Sequence, residues 1–203
     1  MKIKRRIGLI IIILSFICID CKLFAEDKFN PILFTTHSEF SINASSPNFP
    51  VNPVTNKLIT KSALAVLTNE LFSGKTNALV IRFFTELLTE EGKFDILNNH
   101  DGREFLRNKD QVILVLFIDK NNKIWQVNLT YVIPGTTVAR TVAWKPEELK
   151  QFFSDYMYDG ERLKLKSKGN YREPKSEKEA VNLTWDVNFD IPVFNKLNSK
   201  ENK

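Results

Sequence analysis

Three observations predict a mainly β protein, an antiparallel β-sandwich-like single domain with one or two short helices. Alternating or continuously apolar runs recur at short spacing, turn residues such as Asn and Gly separate them, and few segments have a helical pattern. A series of short strands divided by turns is typical of sandwiches. An α+β fold, with helices on one face of a single sheet, is the alternative.

Residues 1–25 have the pattern of a secretory signal peptide. MKIKRR carries four cationic side chains, and the apolar run of about 13 residues behind it is too short to cross a hydrocarbon core of about 30 Å. Cleavage after Ala25 would remove both cysteines, Cys18 and Cys21. Cleavage before Cys21 would make it the lipidated first residue, although Asp20 stands where lipoprotein signals normally have a small residue.

The charge of the exported part bears on its partners. The whole chain has a net charge of +5, but a chain cut after Ala25 keeps 24 basic and 23 acidic side chains, a net charge of about +1. This balance argues against nucleic acid as a partner. We expect a protein at the cell outer membrane or surface, or secreted, with the periplasm as the alternative. It would contact a membrane only through the lipid anchor.

The rest of the chain is predicted to comprise an extended N-terminal segment of residues 26–56, a β-rich domain of residues 57–195 and a polar tail of residues 196–203. In the first segment, extended pieces at 32–36 and 39–43 stand among Pro, Asn and Ser, which favours edge strands. In the β-rich domain, strands are predicted at Lys57–Thr68, Asn77–Glu86, Gln111–Asp119, Lys123–Ile133, Thr136–Trp144, Glu161–Lys168 and Ala180–Val193.

The clearest supersecondary signal is a hairpin around Lys120-Asn121-Asn122. Its first strand is apolar on both faces, so we expect it to lie centrally. The best helix is predicted at Pro146–Tyr156, with Pro and two acids in its first turn. Two shorter helical pieces are predicted within 87–105, the second capped by Asp101, and a polar loop is predicted at 169–178.

No motif in the sequence predicts an enzyme. After residue 25 the chain has no Cys, and its two histidines, His37 and His100, have neither the spacing of a zinc site nor a nucleophile on the same strand face. Gly-rich phosphate loops are absent as well. We therefore expect no catalytic residue, no metal and no cofactor.

The most suggestive feature is a basic row in ERLKLKSKGNYREPKSEK. Alternation puts its lysines on one strand face and leucines on the other. Such a row attracts acidic host proteins or sulfated glycosaminoglycans through its local field. The alternative is an edge strand that lysines protect against aggregation. The predicted partner-binding residues are Lys164, Lys166, Lys168, Arg172 and Lys175.

The signal segment around Cys21, the Lys-, Asn-, Ile- and Phe-rich composition and the cysteine-free, β-rich body resemble small exported spirochaetal surface proteins. The resemblance is strongest to leptospiral adhesins and complement regulator-acquiring proteins. It implies a surface-associated protein that binds host matrix proteins, plasminogen or complement regulators. A periplasmic or envelope structural protein with no host role is the alternative.

Overall fold

Nine strands form one sheet in the part of the chain that the computed structural model describes, namely residues 29–45, 54–69, 77–98, 112–134, 136, 138–174 and 180–197. The elements all lie in the unit Pro31–Lys203. The strands are β1 (Thr35–Ser45), β2 (Val54–Asn69), β3 (Asn77–Phe84), β4 (Val112–Ile118), β5 (Ile124–Val132), β6 (Ala139–Trp144), β7 (Asp155–Tyr158), β8 (Arg162–Pro174) and β9 (Ala180–Asn195). The helical elements are a 3-10 turn (Pro31–Phe34), α1 (Glu90–Asn98) and α2 (Leu149–Phe152).

The strand order is β6-β5-β4-β3-β2-β1-β9-β8-β7, and neighbours in this order are antiparallel. Because β1 is antiparallel to both β2 and β9, those two strands run parallel to each other. They pair directly beyond the start of β1, from Ala65↔Val193 to Leu67↔Asn195.

The sheet bends so that its two ends share one core. Trp144 of β6 contacts Trp185 of β9, with ring centroids 5.3 Å apart, although five strands separate β6 from β9 in the sheet. Trp144 also meets Tyr171 of β8 at 6.2 Å. The inward side chains of nearly every strand are buried in the core that this bend encloses. The prediction of a mainly β, antiparallel, sandwich-like fold is confirmed.

The predicted hairpin is present as β4 and β5. Its turn is closed by the Asp119 carboxylate, which accepts hydrogen bonds from the backbone N–H groups of Asn121 (2.8 Å) and Lys123 (2.9 Å). Asn122 adopts φ +61°, a conformation that Asn tolerates better than most residues. β4 lies inside the sheet as expected, but only one of its faces is buried, and the other is half-buried.

The prediction of edge strands in the N-terminal segment is wrong. β1 lies inside the sheet between β2 and β9, and the boundary predicted at residue 57 falls within β2. A bulge between Thr35 and Ser38 interrupts its pairing. There the buried Thr36 hydroxyl donates to the Asn188 carbonyl (3.1 Å), and the Asn188 N–H donates to the Ser38 hydroxyl (3.2 Å). These hydroxyls serve as partners for the backbone groups of Asn188, which lies beyond the last β1–β9 pair, Glu39↔Asp186.

The helix predicted at Pro146–Tyr156 is largely wrong. Only the single turn α2 forms, and the residues behind it become β7, which pairs with β8 from Asp155↔Lys166 to Tyr158↔Leu163. Tertiary packing explains the difference, because Phe152 stacks on Trp185 with centroids 5.3 Å apart. Backbone pairing with β8 then outweighs the helical propensity of the segment.

Two further predictions differ from the structure or lie outside it. β8 continues to Pro174, into the stretch predicted as a loop, because it pairs with β9 along its whole length. α1 agrees with the first short helix predicted in 87–105, whereas the second, with Asp101, lies outside the described residues.

Candidate binding face

The basic row lies on the outer surface of β8. Leu163, Leu165 and Ser167 point inward and are buried, while Lys164, Lys166 and Lys168 between them are exposed. Arg172 continues the row further along β8 and is exposed as well. Lys175 lies outside the described residues, as does Cys21. Strand alternation therefore places four of the five predicted binding residues on one surface.

Aspartates from the two strands beside β8 meet this row. Lys168 Nζ lies 2.7 Å from Asp186 Oδ2 of β9, and Lys164 Nζ lies 3.0 Å from Asp155 Oδ2 of β7. These hydrogen bonds raise the pKa of both lysines. Lys166 forms no ion pair with any residue that the structure describes.

A third cation–carboxylate pair stands at the start of β8. Arg162 donates from Nε (3.0 Å) and Nη2 (2.8 Å) to Asp190 Oδ1, and Nη2 also reaches the Asp190 carbonyl at 3.1 Å. All three pairs are exposed and screened by solvent, so each contributes little to folding. Their main effect is to fix the positions of charges on the surface.

β1 and β9 extend this surface into a shallow groove of about 620 Å³. Glu39, at its rim, lies 2.9 Å from Lys57 of β2. We call the outward surface of β1, β9 and β8 the polar face. Its groove is lined by the outward side chains of His37, Glu39, Lys166, Lys168, Asn170, Thr184, Asp186 and Asn188, together with Gly169 and Trp185.

Gly169 and Trp185 support the groove from the core side. They are paired across β8 and β9, and the Trp185 ring packs against Gly169 so closely that a Cβ there would lie 2.5 Å from Cζ2. The Trp185 Nε1–H donates to the Ser167 hydroxyl at 2.8 Å, and this hydroxyl donates to the Phe152 carbonyl. The Trp185 ring is therefore fixed both by its packing on Gly169 and by its hydrogen bond to Ser167.

Sequence reasoning missed the acidic half of the polar face. Glu39 and Asp186 are brought beside the lysines by β1–β9 and β9–β8 pairing across long sequence separations. The alternation of Asp186, Asn188 and Asp190 along β9 signals a shared outward surface. Nothing in that pattern tells which strand lies next to β9.

The described residues show neither a metal site nor a membrane-crossing helix. Among them, no group of three or more His, Cys, Asp or Glu side chains is arranged to hold a metal ion. No described helix is long and apolar enough to span a bilayer.

The fold and the polar face define the chain as an antiparallel β-sheet protein with a grooved surface of mixed charge. Comparison of the chain with protein-family models, curated proteins and solved structures finds no match.

Proposed function

We propose that this is an exported, surface-associated binding protein that engages a host protein through its polar face. The observation that carries the proposal is the arrangement of cations and carboxylates around the groove, where Lys166 and Lys168 stand beside Glu39 and Asp186. Protein surfaces carry both signs of charge and are recognised by complementary arrangements of this kind.

The same arrangement favours a protein over a sulfated polysaccharide. A polyanion gains affinity from cations whose charge is not already compensated. On β8, Arg162, Lys164 and Lys168 each have a carboxylate within 3.0 Å. A partner of mixed charge can contact the aspartates as well as the lysines. It therefore meets less electrostatic repulsion from the aspartates than a polyanion would.

Charge reversal at Lys166 tests the proposal. Lys166→Glu places a carboxylate in the groove without breaking an ion pair. Lys120→Glu makes the same charge change in the exposed β4–β5 turn and serves as the matched control. Binding is measured to immobilised matrix proteins, plasminogen and complement regulators, with heparin as the polyanion arm. We expect Lys166→Glu to weaken binding to a host protein about tenfold, chiefly through the association rate, and Lys120→Glu to leave it unchanged.

Three outcomes contradict the proposal at different points. Equal losses of affinity in Lys166→Glu and Lys120→Glu would show that net charge, and not the polar face, determines binding. Binding to heparin alone would replace the protein partner by a polyanion. Full protection from protease added to intact cells would place the protein behind the outer membrane and favour a role in the envelope.

A further inference from the structure

Among the strands that the structure describes, β8 has a neighbour along its whole length on one side only. β9 pairs with it from Arg162 to Pro174. On the other side, β7 reaches only as far as Asp155↔Lys166, and the Ser154 N–H adds a last hydrogen bond to the Lys166 carbonyl at 2.9 Å. From Lys168 onward, β8 is therefore an edge strand of the described sheet.

The direction of the backbone groups on this edge follows from two hydrogen bonds. The Glu161 carbonyl accepts from Val193 N–H of β9 at 2.7 Å, whereas the Lys166 carbonyl faces β7. Backbone groups alternate in direction along an antiparallel strand. The N–H and C=O groups of Lys168, Asn170 and Arg172 consequently point to the free edge, where none of them has a hydrogen-bond partner among the described residues.

The side chains beside this edge are cationic on the outer surface. Lys168 and Arg172 flank Asn170 there. The two strands that already border β8 both present carboxylates to its lysines, Asp155 from β7 and Asp186 from β9. A strand that continued the line of β7 along β8 would fit best with acidic residues opposite Lys168 and Arg172.

We propose that the free edge of β8, from Lys168 to Arg172, binds an acidic, extended segment of a partner protein by strand addition. Backbone hydrogen bonds supply affinity in this mode, and alternate side chains supply specificity. This proposal rests on the proposed function, because the segment that binds as an extended strand would belong to the host protein that contacts the polar face.

A second copy of the chain fits the same edge poorly. Antiparallel pairing of two β8 edges about Asn170 would put Lys168 of each copy opposite Arg172 of the other. Like charges directly opposite each other destabilise a strand pair. The cations thus disfavour self-association, which is a known protection of edge strands, and favour an acidic strand.

Three peptides test the proposal. The probe is a capped seven-residue peptide of alternating Glu and Val, compared with a scrambled peptide and with one N-methylated at alternate residues. N-methylation removes the donors of one strand edge and keeps every charge. We expect the parent peptide to bind, to slow amide exchange at Lys168, Asn170 and Arg172, and to lose affinity at least about tenfold on N-methylation.

Protein variants complete the test. Asn170→Pro removes an N–H that faces the free edge and leaves the pairing with β9 intact, whereas Thr141→Pro makes the same change on the outer edge of β6 and is the control. We expect only Asn170→Pro to abolish peptide binding. Equal binding of the N-methylated peptide overturns the proposal, and it decides the question if Asn170→Pro does not fold.

The outcomes separate this inference from the proposed function. If Lys166→Glu weakens host-protein binding while Asn170→Pro does not, the polar face is the binding surface and strand addition is wrong. If Asn170→Pro abolishes that binding while Lys166→Glu has no effect, the edge binds the partner and the groove does not.

Discussion

Gly169 is the position where one added carbon should have the largest effect on stability. A Cβ at residue 169 would lie 2.5 Å from Cζ2 and 3.0 Å from Cε2 and Cη2 of Trp185. Ordinary contacts of this kind are 3.4–4 Å, so the ring would have to move by about 1 Å. It has little room, because Phe152 and Trp144 each pack on it at a centroid distance of 5.3 Å.

The cost of Gly169→Ala follows from these contacts. Overpacking a core costs about 1–3 kcal/mol, and weakening the buried Nε1–H to Ser167 hydrogen bond adds about 1 kcal/mol. Replacing Gly by Ala in a strand returns about 0.5–1 kcal/mol of chain entropy. The net loss is about 2 kcal/mol, which lowers the Tm of a chain of this size by about 4–8 °C.

Urea unfolding followed by tryptophan fluorescence measures this loss. Gly92→Ala in α1 is the control, since its Cβ would lie 3.3 Å from Thr89 Oγ1 and 3.6 Å from Leu88 Cδ1. Its stability should stay within about 1 kcal/mol of the parent protein. In a double-mutant cycle, Gly169→Ala should cost less when Trp185 is already Phe. A Gly169→Ala protein as stable as the parent, or a cycle without coupling, would refute the close packing of Trp185 on Gly169.

Variants at three further positions probe single features of the fold. Ser167→Ala leaves the Trp185 N–H and the Phe152 carbonyl without their shared partner, so we expect a loss of about 1–3 kcal/mol in urea unfolding. Asn122→Ala, at φ +61°, should cost about 1 kcal/mol, and Asn122→Gly should cost less. Tyr131→Phe removes a buried hydroxyl that has no hydrogen-bond partner among the described residues, so the stability of this variant at neutral pH should equal or exceed that of the parent. Burial raises the pKa of Tyr131 to about 12. The parent should therefore lose stability relative to Tyr131→Phe as the pH rises from about 10 towards 12, because only the unfolded tyrosine ionises readily there. Unfolding midpoints measured from pH 9 to 12 test this.

The alternation of apolar and polar residues along the chain predicts most of the strands. Where the prediction fails, there is a physical reason. β9 and the part of β8 up to Lys168 were predictable because apolar and polar residues alternate through both, whereas the rest of β8 was predicted as a loop. β7 was missed because four residues, Asp155–Tyr158, have no pattern of their own and become a strand by pairing with β8. The interior position of β1 was missed because flanking Pro and Asn residues suggested an edge, although Phe40, Ile42 and Ala44 alternate and are buried.

The candidate site was predictable to the extent that it lies on one strand. The period of two along β8 places Lys164, Lys166 and Lys168 on one surface without any knowledge of the fold. The carboxylates that meet them belong to β7 and β9, and the order of strands in a sheet depends on long-range pairing. The local sequence pattern therefore predicts the row of cations, but it does not predict which carboxylates compensate their charge.

This compensation changes what the basic row can do. Lysines on a bare edge would attract any polyanion, and their attraction would fall steeply with salt. Asp186 and Asp155 shorten the reach of that field, because each lies within 3.0 Å of a lysine. Recognition by this surface then depends on close contact, in which backbone groups at Lys168, Asn170 and Arg172 can take part. The two explanations of the row, protection of an edge and binding of a partner, are therefore compatible: cations that repel a second β8 edge are the same groups that align an acidic strand.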